Sequence, residues 1–186
     1  MALKRTVFLL ISLITLFGCS TVPETTRPVV FYPPLPQRPR LQFLHTITGE
    51  ENIGKSQGEF TEFLLGKPTS DKRIGKAYDI ASSDGKIYVL DRAYKRLLII
   101  DLVQREFDYL RDQRMGTLDD PSGIWVTEDD IKYVADMGRK QIVVFGTDNE
   151  FLRSYGGPDL FDKPVDVAVY KNTVYVSDID KNQIFA

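Results

Sequence analysis

The chain has 186 residues, 24 basic and 26 acidic, with a net charge of −2, a balance that gives no global reason to expect nucleic acid. Its only cysteine, Cys19, and its only histidine, His45, both lie near the N-terminus. They argue against a disulfide, a His-based metal centre, and Ser-His-Asp or Cys-His catalysis within this chain. No Cys-x-x-Cys-His, P-loop or dinucleotide fingerprint is present.

Residues 1–18 read as a signal peptide. Lys4 and Arg5 make a basic start, and Thr6 to Phe17 is an uncharged, mainly apolar run too short to span a bilayer comfortably. Their removal takes the net charge from −2 to −4, because Lys4 and Arg5 are the only charges there. Leu16-Phe17-Gly18-Cys19 resembles a bacterial lipobox, with Phe17 where a small residue is usual. The resemblance implies cleavage before Cys19, lipidation of its thiol and new amino group, and hence a membrane anchor. Ser20 after the cysteine, by resemblance to Gram-negative lipoproteins, implies sorting to the outer membrane, facing the periplasm or the cell surface. An ordinary secreted protein and an uncleaved anchor remain alternatives.

Residues 19–40 are expected to be a tether. Six of the ten prolines lie between Pro23 and Pro39, and proline favours extended polyproline II. A spacer is the simple reading, and a docking patch at Phe31-Tyr32 the other. Phe43 to Gly49 aligns with Phe151 to Gly157, so residues 41–49, His45 among them, are predicted to be a strand that closes the ring described below. Residues 50–72 form an insertion, in which Gly58 to Leu65 is a candidate short helix, either packed on the domain or a lid over it.

One phrase then occurs three times, as Tyr88-Val89-Leu90-Asp91, Tyr133-Val134-Ala135-Asp136 and Tyr175-Val176-Ser177-Asp178, with aspartates 45 and 42 residues apart. A strand-like run precedes each phrase, at Tyr78–Ala81, Gly123–Val126 and Asp166–Val169. A third run begins at Leu97, Ile142 and Ile184, and a fourth lies around Phe107 and Phe151. Four short strands per repeat of this length predict an all-β fold, a β-propeller of four-stranded antiparallel blades. The blades fall at about 76–115, 120–157 and 163–186. Asp84-Gly85, Glu128-Asp129-Asp130 and Lys171-Asn172 supply the hairpin turns. Two full blades, a partial blade and a closing strand make an incomplete ring, whose remaining blades are missing or supplied by another chain.

Asp136-Met137-Gly138-Arg139-Lys140-Gln141-Ile142-Val143-Val144-Phe145 resembles an NHL repeat, and the resemblance extends over residues 73–186 with 41–49 as closing strand. It resembles especially the six-bladed, NHL-type propeller lipoproteins of bacteria. That family usually has Asn three residues after the Asp and Arg five after it. Here the first slot holds Tyr94, Arg139 and Lys181, and the second Arg96, Gln141 and Gln183.

The repeated Asp91, Asp136 and Asp178 are expected to be structural, each holding the turn that follows it. Asp79 and Asp166 begin innermost strands, with Gly123 in the same slot between them. They are candidate ligands for a cation such as Ca²⁺, the kind of metal that lactonase-like and amidating-lyase-like propellers use. No other cofactor is indicated. The loops after the repeated aspartates carry Arg92, Tyr94, Lys95, Arg96, Arg139, Lys140 and Lys181, a candidate basic face for an anionic partner. Export argues against nucleic acid and for an envelope protein or an anionic glycan. The plain alternative is a set of solvated bases paired with nearby acids. The sequence therefore points to a membrane-anchored binding scaffold of the cell envelope. The alternative is a metal-dependent propeller hydrolase or lyase.

Overall fold

A computed structural model describes residues 29–34, 36–54, 72–110 and 114–186. The signal peptide, Cys19 and the candidate helix at Gly58–Leu65 lie outside these residues. The chain divides into two compact units, residues 1–45 and 46–186.

In the first unit, Val30–Tyr32 (β1) and Leu41–Phe43 (β2) form a two-stranded antiparallel sheet, with Val30 opposite Phe43 and Tyr32 opposite Leu41. This revises two expectations. Part of the tether is a strand, and the strand expected over 41–49 is confined to Leu41–Phe43 and pairs with β1 rather than with a blade. Residues 44–48, with His45 among them, carry no strand. The reason lies in the arrangement of residue types. Aromatic and branched side chains flank a proline-rich segment, so the strand positions favour pairing, while the prolines fall in the connection, where a missing N–H costs nothing.

The second unit contains the repeats. Blade 1 comprises Ala77–Ser83 (β3), Lys86–Asp91 (β4), Arg96–Asp101 (β5) and Glu106–Tyr109 (β6). Blade 2 comprises Pro121–Val126 (β7), Lys132–Asp136 (β8), Gln141–Phe145 (β9) and Phe151–Gly156 (β10). Blade 3 comprises Pro164–Tyr170 (β11), Thr173–Asp178 (β12) and Gln183–Phe185 (β13). Each is an antiparallel meander in chain order, and the strands β3, β7 and β11 lie side by side. The turns follow the expected chemistry, with positive φ at Asp84 (44°) and Gly85 (74°), at Asp130 (60°) and at Lys171 (54°).

Period-two alternation sends successive side chains to opposite faces, and neighbouring blades bury both. Tyr88, Leu90 and Leu97 of blade 1 meet Ile124, Val134, Val143 and Phe145 of blade 2. Ala135 and Ile142 of blade 2 meet Val167 and Val176 of blade 3 across Phe161, whose ring stands edge-on to Phe185 at 5.2 Å. The opposite face of blade 1, with Val89, Leu98, Ile100 and Phe107, is covered by Ile47, Ile53 and Ile74. On blade 3 the corresponding forward positions are open: Ile184 is 76% exposed, whereas its equivalents Leu97 and Ile142 are fully buried.

The first strand of each blade carries the same irregularity. The register slips between Ala77 and Asp79, between Pro121 and Gly123, and between Pro164 and Asp166. A β-bulge at this point redirects the next side chain, and in every blade that next position is the 79, 123 or 166 slot. Gly123 is required there by close approach, since a Cβ would lie 2.6 Å from the Asp166 Cα and 2.7 Å from the Val165 carbonyl oxygen.

Candidate partner-binding face

The loops expected to form a common face are built by one device used three times. Asp91 accepts hydrogen bonds from the N–H groups of Gly75, Lys76 and Ala93. Asp136 accepts from Asp119, Asp120 and Arg139. Asp178 accepts from Asp162, Lys163, Asp180 and Lys181. Each carboxylate therefore clamps the lead-in loop of its own blade to the turn between second and third strands. All three are buried. Each turn then passes through a left-handed residue four positions after the aspartate: Lys95 (φ 51°), Lys140 (φ 55°) and Asn182 (φ 54°).

The clamp has an acid-sensitive consequence. Burial pushes the Asp178 carboxyl up, but the four backbone N–H donors outweigh it and hold the group below the usual 3.8. A carboxylate whose pKa is lower in the folded state contributes stability above its unfolded value, and that contribution is lost as pH falls through the folded value. Asp178→Asn should therefore be less stable than the parent at neutral pH. The gap should narrow as pH drops below about 4 in urea titrations; a gap independent of pH would contradict the clamp.

The basic side chains on these turns are mostly engaged. Arg92 pairs with Asp120 and lies over the Tyr78 ring at 4.5 Å. Lys95 donates to Asp119 at 2.6 Å, and Lys140 to Asp162 at 3.4 Å. In each of these cases a turn of one blade meets the lead-in loop of the next. Arg139 donates to the carbonyl oxygens of Met115 and Thr117 at 2.7 Å and to the Gln141 side chain. Lys181 donates to the Leu160 carbonyl at 2.8 Å. Arg96 lies between Tyr94 and Tyr109, 4.4 and 4.9 Å from their ring centroids, and donates to the Arg73 carbonyl at 2.6 Å. Tyr94 itself is 60% exposed.

The partner acids Asp119, Asp120 and Asp162 were not singled out from the sequence. Their signal was available: each stands 16 or 17 residues before a repeated aspartate. Exposed pairs of this kind contribute only about 0–1 kcal/mol each, so they orient the bases more than they stabilise the blades.

Asp79 and Asp166 flank one short stretch of β7. Asp79 accepts from the Ile124 N–H at 2.8 Å through Oδ2 and from Ile80 through Oδ1, which ties blade 1 to blade 2. Asp166 accepts from Val167 at 2.8 Å, and its Oδ1 lies against Gly123. Among the described residues no group of three or more His, Cys, Asp or Glu side chains is arranged to hold a metal ion.

A second polar cluster, also missed from the sequence, joins blades 1 and 2. Asp130 accepts from the Tyr88 hydroxyl and from Lys86 at 3.1 Å, and it lies 3.2 Å from the Lys132 ammonium. Lys132 is fully buried and donates to the Gly146 carbonyl at 2.9 Å. Burial holds its ammonium below the usual 10.5, against the opposing pull of Asp130.

No protein-family model matches this chain, and no curated protein does either. Solved structures do. A streptogramin B lyase is similar over 63% of this chain and 38% of its own length, at 18% identity and a TM-score of 0.50. A virginiamycin B lyase from Staphylococcus aureus is similar over 58% and 36%, at 15% identity and a TM-score of 0.47. A luciferin-regenerating enzyme is similar over 60% and 41%, at 19% identity and a TM-score of 0.46. The chain thus spans about two fifths of the length of the structures it matches. At 18% identity the likeness to the streptogramin B lyase is one of fold. With the four-stranded antiparallel sheets it identifies the chain as all-β, an incomplete ring of β-propeller blades.

Proposed function

We propose that this chain belongs to a lipid-anchored, NHL-type propeller of the bacterial envelope, six-bladed when complete, that serves as a docking platform for an envelope protein or an anionic glycan. Cys19 carries the anchor in this reading, and the proline-rich segment spaces the blades from the outer membrane. One observation carries the platform reading. The three turns share a buried aspartate clamp and a left-handed fourth residue, yet display different side chains: Tyr94 and Lys95, then Arg139 and Lys140, then Lys181. A constant scaffold beneath variable display suits recognition, because the display changes without disturbing the fold. The open forward face of blade 3 supports the expectation that further blades, in the same polypeptide or another, complete the ring.

The test is in-cell cross-linking of the membrane-bound protein. The Arg139→Glu, Lys140→Glu, Lys181→Glu variant is expected to lose its cross-linked partner while staying in the membrane fraction. The Cys19→Ser variant is expected to leave the membrane. An unchanged cross-linking pattern after charge reversal defeats the platform on this face.

The alternative, a metal-dependent hydrolase or lyase, gains interest from the streptogramin B lyase, a lyase built on the same fold. It requires Asp79 and Asp166 to release backbone N–H groups for a cation or to bind one with their remaining oxygens. Both carboxylates have other work in this chain, which favours the platform.

A further inference from the structure

Successive blades meet by one repeated contact, and this chain holds both halves of it open. Forward-facing side chains of one blade pack with the inner strand of the next: Tyr88 and Leu97 with Ile124, and Ile142 with Val167. Ile80 is the blade 1 equivalent of Ile124 and Val167, since the three lie opposite Val89, Val134 and Val176. Ile124 and Val167 are buried, but Ile80 is 64% exposed. On the forward side Tyr88, Leu97 and Ile142 are fully buried, whereas Tyr175 and Ile184 of blade 3 are 37% and 76% exposed.

The charges of the two open faces match. Lys95 and Lys140 each reach an aspartate of the next blade, Asp119 and Asp162. Those aspartates occupy the lead-in slot whose N–H donates to the clamp carboxylate, and in blade 1 that slot is Gly75. Blade 3 carries left-handed Asn182 where the lysines stand. Blade 3 against blade 1 therefore brings a neutral side chain to a glycine and leaves no cation without its acid. The strands match as well. Blades 1 and 2 have four strands, and among the described residues blade 3 has three. Residues 43–49 align in sequence with the fourth strand of blade 2, in which Tyr155 lies opposite Ile142. The same register sets Ile47 opposite Ile184. Leu110 holds this position in blade 1, its N–H bonded to the Leu97 carbonyl, and packs with Val134 and Val143 of blade 2. Ile47 already packs with Val89 and Leu98, the equivalent residues of blade 1.

We infer that the two open faces form one interface between two copies of this chain. The forward face of blade 3 in one copy docks on the back of blade 1 in the other, and residues 46–47 of that second copy add a fourth strand beside β13. A head-to-tail contact closes when the rotation per subunit completes a circle, and two copies of three blades make a ring of six that leaves no sheet edge unpaired. The inference deepens the six-bladed reading above and rests on it, but it needs neither the anchor nor the docking face.

The experiment is a light-scattering mass measurement on the full chain in detergent, with the micelle subtracted. The parent is expected at twice the mass of one chain. Ile184→Lys and Ile80→Glu should each weaken association about a hundredfold or more, since every interface then buries an unpaired charge. Both positions are exposed in the single chain, so its own packing is spared. Mixed in equal amounts, the two variants should pair again, because one interface is then unaltered and the other sets lysine against glutamate. Oxidising a mixture of Ile47→Cys and Ile184→Cys chains, each also carrying Cys19→Ser, should join them covalently. A monomeric parent overturns the inference and leaves the six-bladed reading to further blades of the same polypeptide or of another protein. A stable trimer overturns both. A dimer that ignores both substitutions, or variants that do not pair on mixing, places the contact elsewhere and overturns the inference too.

Discussion

Asp136→Ala is expected to destabilise the repeat unit by about 3–5 kcal/mol, enough to unfold a marginal domain. The carboxylate is fully buried and is the acceptor for the N–H groups of Asp119, Asp120 and Arg139. Alanine leaves those three donors without it and also releases the lead-in loop from the turn. Asp136→Asn should cost less, since one amide oxygen still accepts, but its NH₂ then faces N–H donors instead of an acceptor. Urea unfolding followed by the fluorescence of Trp125, the single tryptophan, reads both variants. An alanine variant within about 1 kcal/mol of the parent would show that the clamp is dispensable.

Asp130→Ala should be comparably damaging, for a different reason. It removes the partner of a fully buried ammonium, Lys132, and the acceptor of the buried Tyr88 hydroxyl. Stranding a buried charge costs about 3–5 kcal/mol, more than the intact pair is worth. Two outcomes separate this account from simple loss of a turn residue. Adding Lys132→Met to Asp130→Ala should recover much of the stability, because the stranded charge is gone. Asp130→Ala alone should also become more stable as pH rises toward the ordinary lysine value of 10.5. Burial lowers the Lys132 pKa in the folded state, so the unfolded chain holds more protons in that window and stability climbs with pH. The parent chain should show the same slope more weakly, because Asp130 opposes the shift. A double variant no more stable than the single one would place the damage in the turn itself, where Asp130 holds a φ of 60°.

The blades were legible in the sequence because their cause is local and periodic. Alternating apolar residues, Asp-Gly at 84–85 and a phrase repeated every 42–45 residues specify strand, turn and period with no knowledge of distant neighbours. The structural role of the repeated aspartates was legible for the same reason, since a polar residue recurring at one place in every unit marks a structural part; their burial was not. Three things were decided only by tertiary structure. The partner of Leu41–Phe43 was one, because strand sequence specifies an edge but not which edge it meets; here it is Val30–Tyr32. The bulge at Asp79, Gly123 and Asp166 was another, because it depends on how closely the first strands of successive blades approach. The last was the fate of the charges. Sequence offered the bases on the turns either as a face for an anionic partner or as bases paired with nearby acids, and the fold brought Asp119, Asp120 and Asp162 of the following lead-in loops against Lys95, Arg92 and Lys140. The same packing set Arg96 between two tyrosines and 3.6 Å from the buried Asp91 carboxylate. A residue's type is written in the chain, but whether its charge is spent or available depends on which blade lies against it.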